Sequence, residues 1–247
     1  FTVYLPAPGV DPIGDTTVRI LSDDQTLYVS FQATDPEPDQ VRGGLGRRDS
    51  RREDDYVGLL LDPNGDGERA ALFIVNPQGI QLDGNLVRGT DRTIVPWRGS
   101  WSSWDARWSS QGQRNTDGYA VEMAIPWTNI RHPKDVEKVG AIFFRRNARI
   151  GEMSSWPMLD TDQPGVLVQT AKLGGPGELP SGSGFTVIPE MTYNTTDQGP
   201  PDDRLNAVGL GPGITLQYDP GSSSQLLATV NPDFSQVESD QAKISIN

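Results

Sequence analysis

Short apolar segments with a two-residue period, separated by turns rich in glycine and proline, constrain the fold of this chain most strongly. In residues 26–33 apolar side chains alternate with polar ones, as they do in a strand that buries one face. Similar alternation or short apolar runs occupy residues 56–61, 70–75, 119–125, 139–144 and 166–171. The 27 glycines and 20 prolines among 247 residues leave little room for long helices. The pattern predicts an all-β fold, an antiparallel β-sandwich, with one short helical turn at residues 126–131.

The chain divides by composition into four parts. Residues 174–184 are rich in glycine, proline and serine, and we expect no regular element there. Beyond them, residues 185–193, 207–218 and 225–230 predict three extra C-terminal strands with too few apolar residues for a core of their own. The predicted division is an extended N-terminal segment (1–12), a sandwich (13–175), a linker (176–184) and a strand extension (185–247).

The turn between the runs at 56–61 and 70–75 has the sequence DPNGDGE, at residues 62–68. Oxygen-bearing side chains at alternate positions, followed by glycine, are typical of the first half of a calcium-binding loop. The glutamate that would complete such a loop is missing, because position 73 is Phe73. The alternative is a hairpin turn in which Asp and Asn side chains accept backbone hydrogen bonds. The candidate calcium ligands are Asp62, Asn64, Asp66 and Glu68.

Four tryptophans, Trp97, Trp101, Trp104 and Trp108, lie within twelve residues. Exposed indole rings stack on the flat C–H faces of sugars, so this segment predicts a ligand-binding surface made by Trp97, Trp101 and Trp104. The alternative is that Trp104 and Trp108 belong to the core, which leaves Trp97 and Trp101 as the exposed pair.

Nothing in the sequence marks a catalytic centre. The chain has no cysteine, and its single histidine, His132, lies in a polar loop that we expect to be exposed. Carboxylates are plentiful, but no pair stands out as a glycosidase couple. Arg145, Arg146, Arg149 and Glu152 are better explained as a structural ion network than as ligand contacts. We therefore predict that the protein is not an enzyme.

The net charge of −12 disfavours nucleic acid and anionic membranes as partners. No apolar stretch reaches the roughly 18 residues that a transmembrane helix needs.

Several segments resemble carbohydrate-binding family 9-like domains. The resemblance begins with DDQTLYVSF at residues 23–31 and TDP at 34–36, and it spans residues 12–175. Its further matching positions are Arg48-Asp49, Asp54-Asp55, Leu61-Asp62, residues 76–79, Trp104-Asp105, Glu122, Ile125-Pro126, residues 145–147, Glu152 and Trp156. It implies a jelly-roll type of sandwich, a glycan ligand, and calcium as the one expected cofactor.

The segment ATVNPDFSQVE at residues 228–238 closely resembles the start of the DUF5916 region. In that family a family 9-like domain precedes a region predicted to form an outer-membrane β-barrel. The resemblance implies the periplasm, the outer membrane or the cell surface of a Gram-negative bacterium.

Together these observations predict a non-catalytic exported binding module with a glycan ligand. One alternative is an accessory subunit that docks on the periplasmic face of a membrane protein complex, for example a respiratory or photosynthetic one. Another is the N-terminal domain of an outer-membrane β-barrel protein.

Overall fold

The computed structural model describes residues 1–49, 53–91, 101–130, 132, 135–178, 184–198, 205–221 and 224–230. The chain divides into two compact units, Phe1–Ser181 and Gly182–Asn247. Within the described residues the regular structure is β-strand apart from three single 3₁₀ turns, at Pro38–Gln40, Trp127–Asn129 and Leu167–Gln169. The predicted all-β antiparallel fold is confirmed, as is the helical turn after Ile125.

Two antiparallel sheets form the first unit. Its strands are β1 (Thr2–Leu5), β2 (Thr16–Ser22), β3 (Thr26–Thr34), β4 (Tyr56–Asp62), β5 (Arg69–Val75), β6 (Gln81–Val87), β7 (Trp101–Ser103), β8 (Ser109–Asn115), β9 (Gly118–Pro126), β10 (Asp135–Asn147), β11 (Glu152–Trp156) and β12 (Ala171–Glu178). The large sheet has the order β1-β11-β10-β4-β5-β6-β7, and β12 also pairs with β10. The small sheet has the order β2-β3-β9-β8. Their facing sides make a β-sandwich.

The main core lies between the two sheets and follows the two-residue period of the sequence. In β3 the buried positions are Leu27, Val29, Phe31 and Ala33, and β9 alternates in the same way. Phe31 meets Phe143 of the large sheet edge to face, with ring centroids 6.1 Å apart. Each buried side chain of this size contributes about 1.5–3 kcal/mol of transfer free energy, so this alternation orients the small sheet.

The outer face of the large sheet is also covered, which explains the continuous apolar runs of β4 and β5. Leu60, Leu72 and Phe144 pack there in a second cluster with Leu159 and Leu167, which lie after β11. A strand with apolar cover on both faces shows an unbroken run instead of alternation.

The prediction of a strand over residues 166–171 is wrong, because this segment begins with a 3₁₀ turn and β12 starts only at Ala171. Asp91 determines the turn. Its backbone carbonyl accepts a hydrogen bond from the Val166 N–H at 2.9 Å, and its carboxylate accepts one from the Leu167 N–H at 2.9 Å. A side chain remote in sequence therefore decides this conformation.

The glycine-rich segment that we expected to lack regular structure contains part of β12. Gly174 pairs with Lys138 of β10, and a Cβ at Gly175 would lie 1.9 Å from the Val136 carbonyl oxygen. The absence of a side chain permits this close approach of two backbones. The strand therefore continues past residue 175, the predicted end of the sandwich. Within the predicted N-terminal segment, β1 is an edge strand paired with β11.

The second unit is a three-stranded antiparallel meander of β13 (Gly184–Gln198), β14 (Leu205–Gly221) and β15 (Ser224–Val230), in that order. The predicted extra C-terminal strands are therefore present. Several apolar side chains on this sheet are exposed, among them Val187, Met191, Leu226 and Leu227. Across the described ranges, no helix has the length and hydropathy that crossing a membrane would require.

Candidate functional site

Arg48 lies among three carboxylates beside strand β6, and we call Arg48, Asp49, Asp83 and Asp105 the Arg48 cluster. The Arg48 guanidinium donates to Asp83 Oδ1 from Nε at 3.1 Å and from Nη2 at 2.6 Å. Nη2 also donates to the Ala106 carbonyl at 2.6 Å. These contacts join the loop before β4, strand β6 and the loop before β8. The guanidinium is therefore held in one orientation.

Asp83 is the buried anchor of the cluster, with a side chain that is 0% exposed. Its second oxygen accepts from the Ala106 N–H at 2.7 Å. Burial raises the pKa of Asp83, while the hydrogen bonds from Ala106 and Arg48 oppose this rise. A buried carboxylate of this kind needs its guanidinium partner, which makes the pair a rigid base for the groups around it.

The other two carboxylates face solvent. Asp105 is 87% exposed and lies 3.3 Å from Arg48 Nη2. Asp49 has a φ of 59°, a left-handed conformation that Asp tolerates, and its Oδ1 accepts from the Asp83 N–H at 3.2 Å. Oxygens of Asp49, Asp83 and Asp105 lie within 4.8 Å of one another. Among the described residues, these three carboxylates form the group whose oxygens lie close enough together to hold a metal ion. The Arg48 guanidinium already supplies a positive charge among them.

The tryptophans are placed differently from one another. Trp104, next to Asp105, is half-buried and contacts Phe73 edge to face at 5.8 Å. Trp108 is buried against the same ring at 5.2 Å, as the core alternative predicts. The backbone of Trp101 lies in β7, opposite Leu86. Trp97 lies outside the described residues. Of the three tryptophans in the predicted aromatic surface, Trp104 is the one that directly precedes a member of the Arg48 cluster, Asp105, in the chain.

The turn at residues 62–68 is stabilised by its own backbone. The buried carboxylate of Asp62 accepts from the N–H groups of Asn64, Gly65 and Gly67 at 2.8–3.1 Å. Lys172 Nζ donates to the Gly65 carbonyl at 2.6 Å and lies 4.0 Å from Asp62. Asp66 accepts from the Glu68 N–H, and Glu68 pairs with Arg88 at 2.6 Å. Each carboxylate already has a protein partner, as in the hairpin-turn alternative. Calcium binding here stays a prediction.

The arginines after the apolar strand form a buried ion network, as expected, but with other partners. Asp35 accepts from Arg149 Nη2 at 2.9 Å and from Asn147 Nδ2 at 2.8 Å, and Arg145 Nη2 lies 3.8 Å away. Glu152 instead accepts from the Ile13 N–H at 3.2 Å, and Arg146 pairs with Glu53.

His132 is buried, and its ring centroid lies 6.2 Å from that of Trp127, so the expectation that it is exposed is wrong.

The buried carboxyl group of Asp55 should make the free energy of unfolding depend on pH. It accepts from the N–H groups of Arg42 and Ala148, yet burial raises its pKa above the ordinary 3.8. The folded chain therefore binds this proton more tightly than the unfolded chain. The contribution of this proton to the free energy of unfolding is present below about pH 4. It is lost as the pH rises through the pKa that Asp55 has in the folded chain. We expect the urea midpoint of the Asp55→Asn variant to fall less between pH 4 and pH 8 than the urea midpoint of the wild type.

Asp23→Asn is the control of opposite sign. Asp23 accepts from the N–H groups of Gln25 and Thr26 at 2.9 and 2.6 Å, and these hydrogen bonds lower its pKa. Its contribution is present above the ordinary pKa and is lost as the pH falls through the folded one, so removal of Asp23 should reduce stability at neutral pH. Equal pH slopes in the wild type and the Asp55→Asn variant would contradict the assignment.

Fold and site together define an antiparallel β-sandwich with a polar and aromatic surface cluster built on one buried ion pair. Residues 11–152 match the family described as carbohydrate family 9 binding domain-like. This match spans more than half of the chain, and the chain belongs to that family.

Two solved structures are similar to this chain. One is a protein from Bacteroides uniformis ATCC 8492 described as carbohydrate-binding, with 16% identity and a TM-score of 0.47, covering 65% of this chain and 78% of that one. The other is a family 9 carbohydrate-binding module from Caldicellulosiruptor kristjanssonii in complex with cellotriose. It has 16% identity and a TM-score of 0.36, covering 60% of this chain and 66% of that one. A search of the curated proteins finds no match.

Part of the site could be predicted from the sequence. The dipeptides Arg48-Asp49 and Trp104-Asp105 carry the resemblance, but neither Arg48 nor Asp105 was singled out as a ligand contact. Asp83 was missed altogether, because nothing in the sequence of β6 distinguishes it from other strand-borne acids. Its pairing with an arginine 35 positions earlier is a tertiary contact.

Proposed function

We propose that this protein is a non-catalytic glycan-binding module whose ligand binds at the Arg48 cluster and Trp104. One observation carries the proposal: the Arg48 guanidinium is fixed by fully buried Asp83 and is flanked by the exposed carboxylate of Asp105. The chain belongs to the family described as carbohydrate family 9 binding domain-like, and this membership supports the assignment.

The chemistry of the cluster suits a ligand rich in hydroxyl groups. Carboxylate oxygens accept hydrogen bonds from sugar hydroxyls, and Arg48 Nη1, which does not bond to Asp83 or to the Ala106 carbonyl, can donate to sugar oxygens. Trp104 directly precedes Asp105 in the chain and is half-buried, so part of this residue is accessible to the apolar face of a sugar. Because Asp83 and the Ala106 carbonyl hold Arg48 in advance, little side-chain entropy is lost on binding.

The arrangement does not suit acid–base catalysis of glycoside cleavage. A glycosidase acid needs a raised pKa and direct access to the glycosidic oxygen. Asp83 is the cluster member whose pKa is raised, and its side chain is fully buried against Arg48 and Ala106. Asp105 is accessible, but it is 87% exposed and lies 3.3 Å from the Arg48 guanidinium instead of in a site that excludes water.

The test is a calorimetric titration with neutral oligosaccharides chosen from a glycan array, cellotriose among them. We expect Asp105→Ala to weaken binding by about tenfold, the effect of losing roughly 1.4 kcal/mol of ligand hydrogen bonding. The free energy of unfolding should change by less than about 0.5 kcal/mol, since Asp105 lies on the surface.

Asp162→Ala is the matched control, because Asp162 is another exposed carboxylate, in a different loop. It should bind glycan like the wild type. The proposal is wrong if no oligosaccharide on the array binds, or if the Asp105→Ala and Asp162→Ala variants have the same affinity. Export to the periplasm or outer membrane stays a prediction.

A further inference from the structure

A cavity of about 350 Å³ opens between the two sheets where β2 faces β10 and β12. Its inner wall is formed by apolar side chains of β3, β4 and β10 together with Trp127. Among these, Leu27, Val29, Leu59 and Phe143 are at most 6% exposed. Ile20 and Leu21 of β2 lie at its mouth and are 40% and 73% exposed. None of the lining residues belongs to the Arg48 cluster.

The lining offers few hydrogen bonds to water. Ser22 carries the one polar side chain of the wall apart from the Trp127 indole N–H. That N–H already donates to Ser22 Oγ at 3.2 Å and to the Asp23 carbonyl at 3.3 Å. A buried water typically needs two to four polar partners, so water in this cavity is poorly held and easily displaced by an apolar group.

Two adjacent glycines of β12 border the cavity and differ in their surroundings. A Cβ at Gly175 would collide with the Val136 carbonyl oxygen at 1.9 Å, so that position is required by the pairing of β12 with β10. A Cβ at Gly174 would meet no atom within 4 Å, but this position pairs with exposed Lys138 and lies on the face of β12 opposite Leu173, which lines the cavity.

The two residues of β2 at the mouth lie on opposite faces of that strand. Ile20 pairs with buried Val29 and shares its inward face, whereas Leu21 pairs with Tyr28 on the outward face. A substitution at Ile20 therefore changes the entrance, and the same substitution at Leu21 does not.

We propose that this cavity binds a small apolar molecule of about a dozen carbon atoms. The size follows from the volume, because an apolar cavity of about 150 Å³ holds one benzene molecule and this one is more than twice as large. The apolar wall supplies the affinity, since burial of ligand surface is favourable in proportion to its area. The open mouth beside Ile20 and Leu21 supplies the entry path.

The test uses the full chain and the neutral fluorescent probe N-phenyl-1-naphthylamine. We expect saturable binding of one probe per chain, with displacement by 1-decanol. Ile20→Trp places a larger side chain on the inward face of β2 at the mouth and should weaken binding by about tenfold or more. Leu21→Trp, the matched control, places the same side chain on the outward face of β2 and should stay within about twofold of the wild type.

Ile20→Glu is a second variant of different chemistry, with Leu21→Glu as its control. Ile20→Glu places a charge on the inward face of β2 at the mouth, so it should also weaken probe binding by about tenfold while the fold is retained. Leu21→Glu places the charge on the outward face and should bind the probe like the wild type. Near-ultraviolet circular dichroism and the thermal midpoint serve as checks on folding.

The exposed apolar side chains of β15 are the competing place for the probe. The double variant Leu226→Ser/Leu227→Ser, which removes two of them, should bind the probe like the wild type. The proposal is overturned if this variant abolishes binding, or if Ile20→Trp and Ile20→Glu both bind the probe with unchanged affinity. Glycan titration of the Ile20→Trp variant should match the wild type, which separates this cavity from the Arg48 cluster.

Discussion

Asp35→Ala should lower the free energy of unfolding by about 3–5 kcal/mol, because it removes the one carboxylate that several buried groups share. Asp35 is 6% exposed and accepts hydrogen bonds from Asn147, Arg149 and the Glu37 N–H. Arg145, only 2% exposed, also lies near it. Alanine removes this acceptor from Asn147, Arg149 and the Glu37 N–H, and it removes a negative charge 3.8 Å from buried Arg145. A buried charge that loses its partner keeps the full penalty of desolvation.

Urea unfolding at pH 7 measures this effect. Glu37→Ala is the matched control, because Glu37 pairs with the same Arg149 from a half-exposed position, at 2.6 Å. Surface pairs of this kind contribute about 1 kcal/mol or less. Asp35→Asn should fall between the two, since it retains an acceptor oxygen and removes the charge. If Asp35→Ala costs no more than Glu37→Ala, the buried network does not stabilise the sandwich as described.

Arg48→Met should have two effects, a loss of about 3 kcal/mol of stability and the loss of glycan binding. The stability effect arises because Asp83 is fully buried and loses a guanidinium that donates two hydrogen bonds to it. Methionine retains most of the apolar length of the arginine side chain, so the variant tests the charge and not the packing. The binding effect arises because the guanidinium is the central donor of the proposed site.

The double variant Arg48→Met/Asp83→Asn separates these effects. Removal of the buried charge should restore about 1 kcal/mol or more of stability relative to Arg48→Met alone, while glycan binding stays absent. Chemical denaturation and calorimetric titration of the four proteins in this cycle provide the measurements. Additive stability changes in the cycle would show that Arg48 and Asp83 are not coupled, and the site would then lack its rigid base.

Most strands of the sandwich were predictable because their signal is local. In β3 and β9 one face is buried and the two-residue alternation is directly visible. In β4 and β5 both faces are buried, and the continuous apolar runs with the turn at 62–68 predict a hairpin equally well. The failures at residues 166–171 and 174–175 occur where Asp91 and the Val136 carbonyl, both distant in sequence, determine the backbone.

Candidate ligand residues were harder to predict, because residue type does not report exposure. The Asp62 turn has the composition of a calcium loop, yet its carboxylate binds three backbone N–H groups and lies 4.0 Å from Lys172. Trp104 and Trp108 lie four positions apart, yet one is half-buried and the other buried. Calcium, an accessory role on a membrane complex, and a continuation into an outer-membrane barrel stay predictions.

Fold class and family can be predicted from the sequence, because both follow from side-chain period, turn residues and ordered short motifs, all of which act between neighbours along the chain. The polar residues that form a site cannot be predicted in this way, because tertiary contacts bring them together. Arg48, Asp83 and Asp105 come from separate segments, and only the pairing of sheet and loops brings them within hydrogen-bond distance. The same holds for the apolar cavity, whose wall is assembled from five strands that no local pattern relates to one another.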